Sequence, residues 1–296
     1  MKSYLIGLIL VLFSLISNAQ NYEYMGLLKL PDSSLITYNL SFKEENGKIK
    51  GFSYSDMNGE HETKSAVVGK YDSEENKLEF REVEIIYTKS NIKEIDFCNV
   101  YFTGDLRKLN GKAEIKGTFK GYYDDLTSCI DGELVMQAAE KVKKRNEKFQ
   151  KRVNRTNKVP DSIKQKINMS KMFNRFSKNQ LKGGENLNII LKDKNIKLII
   201  WDDQEADGDK IELSINDRKI LKDFEPSTTK KIIPLEFIDP VNTIKIKALN
   251  IGNKPPNTAK IAIEAKDGQI IDVTSQLKVG EDVTFTFFKE KPKIQK

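Results

Sequence analysis

Apolar and polar residues alternate with period two through most of this chain, and the alternation breaks in one long stretch. The segment "SLITYNLSFKEENGKIKGFSYSD" alternates on both sides of Asn46-Gly47. That dipeptide favours the left-handed backbone of a two-residue hairpin turn, so a hairpin is predicted there. "SAVVGKYDSEENKLEFREVEII" predicts a second hairpin turning at Asp72 to Asn76. "IDFCNVYFTGDLRKLNGKAEIKGTFKGYY" predicts a third at Asn110-Gly111, and "SCIDGELVMQA" closes the series. About eight short strands with few helix signals predict an antiparallel β-barrel or sandwich over 20–137, and consecutive hairpins favour an up-and-down barrel. Leu40, Phe42, Phe52, Tyr54, Phe80, Phe102 and Phe119 are the expected inward positions, mostly bulky, which favours a filled interior.

Residues 138–186 lose the alternation. Val142, Phe149 and Val153 make a sparse helical stripe, Pro160 stops it, and Asp161-Ser162 can cap a second helix carrying Ile163, Ile167, Met172 and Phe176. Gly183-Gly184 is a hinge signal. Strand patterns resume over 187–290, from "NLNIILKD" to "DVTFTFF", and predict a β-sandwich. Residues 291–296 form a short basic tail. The expected fold is therefore mainly β: an N-terminal antiparallel barrel or sandwich, a basic helical linker, and a C-terminal β-sandwich.

Charge sharpens this division. Between 138 and 182, fifteen Lys or Arg face only Glu140, Glu147 and Asp161, a net of +12 in a chain whose total is +7. The rest of the chain is net negative, so the basicity belongs to the connector. A solvated helical spacer is the plain reading of such a run. A surface for an anionic glycan or lipid, or for an envelope protein, is the functional one, because clustered lysines attract polyanions. Few aromatics interleave with the lysines, and nucleic acid is not an expected partner.

The first residues, MKSYLIGLILVLFSLISNAQ, combine Lys2, an apolar run from Tyr4 to Ile16, and the small residues Ser17 and Ala19. This is the pattern of a secretory signal peptide, 1–19, cleaved between Ala19 and Gln20. The run is shorter than the ~20 residues of a membrane span. No cysteine follows it to carry a lipid, and no transmembrane segment is expected after cleavage. The expected location is periplasmic or extracellular. In such a compartment Cys98 and Cys129, the only two cysteines, are expected to form a disulfide.

One stretch has unusual chemistry. "IIWDDQEADGDKIELSIND" places Asp203, Glu205, Asp207 and Asp209 around Gly208. Calcium takes six to eight oxygens on a Gly-assisted loop, and this spacing follows the first half of such a loop before departing from it. Strand counting brings "NIGNKPPN" to the same end, where Asn250 and Asn257 would add neutral oxygens. Calcium is the one cofactor this pattern suggests. A turn whose aspartates satisfy loop amides is the alternative.

The same stretch, "IWDDQEADGDKIELSINDRKIL", together with "IKALNIGNKPPNTAKIAI", resembles a β-sandwich module found at the C-terminus of secreted Bacteroidetes proteins. An aspartate after a strand, a D-G-D turn and a P-P-N-T-A loop occur in the same order, across about 187–290. Asn216-Asp217 stands where that module has Asn-Gly. The resemblance implies an accessory domain without catalytic residues. The N-terminal half resembles no family.

Catalytic patterns are sparse. His61 is the one histidine, and "HETKS" lacks the second ligand of a zinc-protease motif. Asp124-Asp125 reads as a turn. The expected function is an exported, non-enzymatic binding or scaffolding protein. A carrier of a small apolar ligand in a lipocalin-like barrel is one alternative; a carboxylate-dependent glycan hydrolase is another.

Overall fold

A computed structural model describes residues 21–91, 97–106, 114–156, 159–166, 179–202, 207–253, 255–266 and 268–289. The structure is mainly β. Its first eight strands are β1 Asn21–Lys29, β2 Leu35–Glu45, β3 Lys48–Ser55, β4 Thr63–Asp72, β5 Lys77–Thr88, β6 Asn99–Leu106, β7 Glu114–Tyr122 and β8 Ser128–Ala138. Each pairs antiparallel with the next, and β8 returns to β1 with Leu27 opposite Val135. This is a closed up-and-down barrel, and closure removes the exposed edges a flat sheet would leave.

Local chemistry explains the hairpins. Asn46 and Gly47 both take positive φ, 52° and 76°, as a two-residue turn between twisted strands requires. The Glu44 carboxylate accepts the Gly47 N–H at 2.7 Å and holds the turn. The predicted turn at Asn110-Gly111 lies outside the described residues. The Cys98–Cys129 disulfide is present, with 6.0 Å between its Cα atoms, and fastens the approach to β6 onto β8. Closing a loop of this length contributes about 3–4 kcal/mol on the chain-entropy account.

Tyr24, Tyr38, Leu40, Phe42, Phe80, Phe102 and Phe119 fill the barrel. Phe80 and Phe102 stack at 5.0 Å, and Tyr38 lies 6.4 Å from Phe80. Two expected inward residues point outward instead: Phe52 is 40% exposed, and Tyr54 packs against the C-terminal core. Ser53 takes the inward place between them. Its hydroxyl donates to the buried Glu82 carboxylate at 2.6 Å, on the same inward face as the buried Ile49.

The chain leaves β8 into helix α1, Ala139–Arg155, which buries Ala139 and Val153 and leaves Phe149 half exposed. A short helix α2, Asp161–Lys166, follows Pro160. The remaining strands are β9 Gln180–Lys182, β10 Asn186–Leu191, β11 Asn195–Trp201, β12 Ile211–Ile215, β13 Arg218–Phe224, β14 Lys231–Glu236, β15 Val241–Ala248, β16 Lys260–Ala265, β17 Ile270–Gln276 and β18 Asp282–Lys289. They form two groups, β13-β12-β15-β18-β10 and β14-β11-β16-β17-β9. Leu187, Leu213, Ile246 and Phe285 of the first share one apolar cluster with Leu181, Leu198, Ile263 and Ile271 of the second. Asn216 and Asp217 both take positive φ and turn β12 into β13.

The barrel and the C-terminal strands are continuous through β5. Two bulges interrupt its pairing with β4, between Lys64 and Ser65 and between Ala66 and Val67. A bulge inserts one residue and changes the face that follows. Leu78, Phe80 and Glu82 face the barrel, while Ile86, the residue inserted at the bulge opposite Lys64 and Ser65, and Tyr87 join the C-terminal cluster. Beyond the bulges, β5 pairs with β10, Thr88 opposite Asn188 and Tyr87 opposite Ile189.

Candidate functional site

The outer wall of the barrel and the outer face of β16 and β17 enclose a cleft of about 370 Å3. Strand alternation builds both walls. Asn39 and Ser41 face the cleft because Leu40 and Phe42 face the barrel. Asp272 and Thr274 face it because Ile271 and Val273 face the C-terminal core.

Lys64 is its most unusual lining residue, only 7% exposed. Its ammonium lies 4.5 Å from the centre of the Phe52 ring and 5.4 Å from that of Tyr54. It donates one long hydrogen bond, 3.3 Å, to the carbonyl of Ile270. No other bond to it is formed among the described residues. Burial pulls its pKa down to about 8, against the opposing attraction of Asp272. The Tyr54 hydroxyl is pushed up to about 12, first by burial and then by Glu62, Asp272 and Glu23.

This predicts a specific pH response. The folded chain releases the Lys64 proton near pH 8, whereas an unfolded lysine holds it to about 10.4. Between those values the unfolded state binds more protons, so stability rises with pH. We expect a gain of about 2 kcal/mol from pH 8 to 10 in urea unfolding, absent in Lys64→Met. Above pH 10 the buried tyrosines, whose pKa values are raised, act in the opposite sense. Equal pH profiles for the two proteins would refute the assignment.

Behind the cleft, a buried ionic group joins the two halves. Glu62 accepts the Tyr87 hydroxyl at 2.9 Å and the Asn58 N–H at 2.7 Å. The Lys89 ammonium lies 3.5 Å from Glu62 and 3.1 Å from Glu185, and donates to the Gln180 carbonyl at 2.9 Å. Burial raises the Glu62 pKa, and Lys89 is the first of the groups that oppose it. Asn179 donates to the Tyr87 hydroxyl at 2.7 Å. Its own carbonyl oxygen is buried and accepts no hydrogen bond among the described residues.

The acidic stretch follows β11, whose last residue, Trp201, pairs with Lys260. Asp207, Asp209, Asn250 and Asn257 come together there, while Asp203 and Glu205 lie outside the described residues. Asn250 clamps the loop, accepting the Lys210 N–H at 2.6 Å and donating to the Gly208 carbonyl at 2.8 Å. Asn257 donates to the carbonyls of Lys210 and Asn250. One Asp209 oxygen accepts the Thr258 N–H at 2.7 Å. The other, and the side-chain oxygen of Asn257, are buried without a hydrogen-bond partner among the described residues. Asp209 is sealed from solvent just beneath the surface. Desolvation pushes its pKa up to about 6, and the charges of Asp207 and Asp202 add to that. Among the described residues, no three His, Cys, Asp or Glu side chains form a metal-holding group.

The other sequence candidates occupy turns. His61 Nδ1 lies 3.1 Å from the Ser90 hydroxyl. Asp124 accepts from Asn99, and Asp125 accepts the N–H and hydroxyl of Thr127. Sequence reasoning missed Lys64, Glu62, Lys89 and Asn179. "HETKS" reads as the polar start of a strand, and nothing local marks its lysine as buried.

No protein-family model, curated protein or solved structure matches the chain.

Proposed function

We propose that this is an exported, non-enzymatic binding protein whose ligand site is the cleft between the barrel and β16–β17. The observation that carries this reading is the state of the cleft's polar groups. A buried ammonium that makes one long hydrogen bond among the described residues lines this concave space together with the exposed Asp272. Buried polar groups are ordinarily satisfied, and sites for small ligands place a few such groups in a concave wall. The aromatic filling of the barrel favours the cleft over the barrel interior as the site. The leader pattern and the disulfide support export. In this reading the C-terminal strands form a β-sandwich, and the basic segment 138–186 is a linker that offers Lys143, Lys144 and Lys148 to an anionic envelope surface.

Native mass spectrometry of the protein purified from its host envelope tests the site. A co-purifying small molecule, lost when Ser41→Trp fills the cleft, is the expected result. Retention of the molecule in that variant would move the site elsewhere.

A second reading concerns calcium. The unpartnered oxygens of Asp209 and Asn257, in the field of Asp207 and Asp202, support a cation at the acidic loop. Trp201, the chain's one tryptophan, ends the strand that leads into this loop. We expect millimolar calcium to raise the melting temperature, and terbium to give tryptophan-sensitised luminescence that Asp209→Asn abolishes. A melting temperature unmoved by calcium or EDTA would end this reading.

A further inference from the structure

Resting on the cleft as the ligand site, we propose that its ligand is a small zwitterion of the free amino-acid or dipeptide class. Lys64 would take the carboxylate and Asp272 the ammonium. Three features support this class over its neighbours. The first is charge balance: Lys64 and Lys260 line the cleft against Glu23 and Asp272. A plain anion would meet two carboxylates, and a plain cation would meet a buried ammonium.

The second is the pattern of missing partners. Lys64 has three N–H donors and uses one, at 3.3 Å, so it calls for an acceptor, and a charged acceptor gives the stronger bond. Asp272, exposed on the cleft wall, is an acceptor that suits a cationic donor. A zwitterion supplies both in one molecule; a sugar or other neutral polyol would leave the ammonium without a counter-charge. The third is the lining between the polar groups. Met25 and Met57 give it apolar surface suited to a side chain.

The experiment is a thermal-shift and calorimetry panel of free amino acids and dipeptides against the full mature chain. Each is paired with its C-terminal amide and its N-acetyl form. At least one unmodified member should raise the melting temperature by several degrees at millimolar concentration. Both blocked forms should bind at least tenfold more weakly. Lys64→Met should abolish binding while far-UV circular dichroism stays unchanged. Asp272→Asn, at an exposed position, should weaken binding several-fold without touching the core.

Equal binding of the blocked forms, or full binding by Lys64→Met, would overturn the proposal. A different ligand from the host envelope that Ser41→Trp excludes would overturn the zwitterion class and leave the cleft as the binding site. No binder in the panel and none co-purifying would overturn both.

Discussion

Replacing Lys89 with methionine is expected to lower stability by about 3–5 kcal/mol, because it leaves an acid buried without its cation. The side chains of Lys89 and Glu62 are 3% and 0% exposed. Glu62 keeps the Tyr87 hydroxyl and the Asn58 N–H as donors, which stabilise its charge but do not neutralise it. Glu185 and the Gln180 carbonyl lose their shared donor in the same step. Both belong to the C-terminal half, whereas Glu62 and Lys89 belong to the barrel side. The loss should therefore loosen the junction as well as the residue. Urea unfolding measures the first effect, and limited proteolysis around 179–186 measures the second. The double variant Glu62→Gln with Lys89→Met removes both charges and should recover most of the loss, since a buried pair contributes little beyond its own desolvation. A single variant as stable as the wild type would show that the ammonium is not what neutralises Glu62.

Much of the fold was legible in the alternation of the chain because hairpins are local. Asn46-Gly47 marks a turn by its own backbone preference, and the flanking runs pair by proximity. The cysteine pair was legible because only one pairing exists. What could not be read was decided by distant partners. Phe52 and Tyr54 look like core residues in isolation. Their outward direction goes with an inward face that carries Ile49 and Ser53, the latter bonded to Glu82, 29 residues away. Ile86 reaches the C-terminal core through a bulge, and "REVEII" shows no sign of it. The cleft is harder still, since Lys64 meets Ile270 across 206 positions and neither stretch carries a motif. The acidic loop was legible as a cluster, and counting strands correctly carried Asn250 and Asn257 to it. That Asn250 would serve as a clamp on the loop backbone was not foreseeable from spacing.

Glu82 makes the same point at the centre of the barrel, and its removal should have an effect as large. The carboxylate accepts the Tyr38 hydroxyl at 3.0 Å, the Ser53 hydroxyl at 2.6 Å and the Val100 N–H at 2.8 Å. It is one acceptor for three buried donors drawn from β2, β3 and β6. Glu82→Leu would fit the apolar surroundings but leave all three donors without a partner. Each such group costs about 1–3 kcal/mol, and we expect a total loss of about 3–5 kcal/mol after local relaxation. Glu82→Gln keeps one oxygen and turns a donor toward a donor, for a loss of about 1–3 kcal/mol. The pH dependence separates charge from hydrogen bonding. Burial raises the Glu82 pKa, against the bonds from Ser53, Val100 and Tyr38. The folded state therefore holds this proton to higher pH than the unfolded state, whose value is about 4.3. Stability from this group is fully present below that value and falls as pH rises toward the folded pKa. The wild type should thus exceed Glu82→Gln by more at pH 4 than at pH 7 in urea unfolding. A gap that widens toward neutral pH would mean that the ionised carboxylate, with its three donors, is the preferred form inside the barrel.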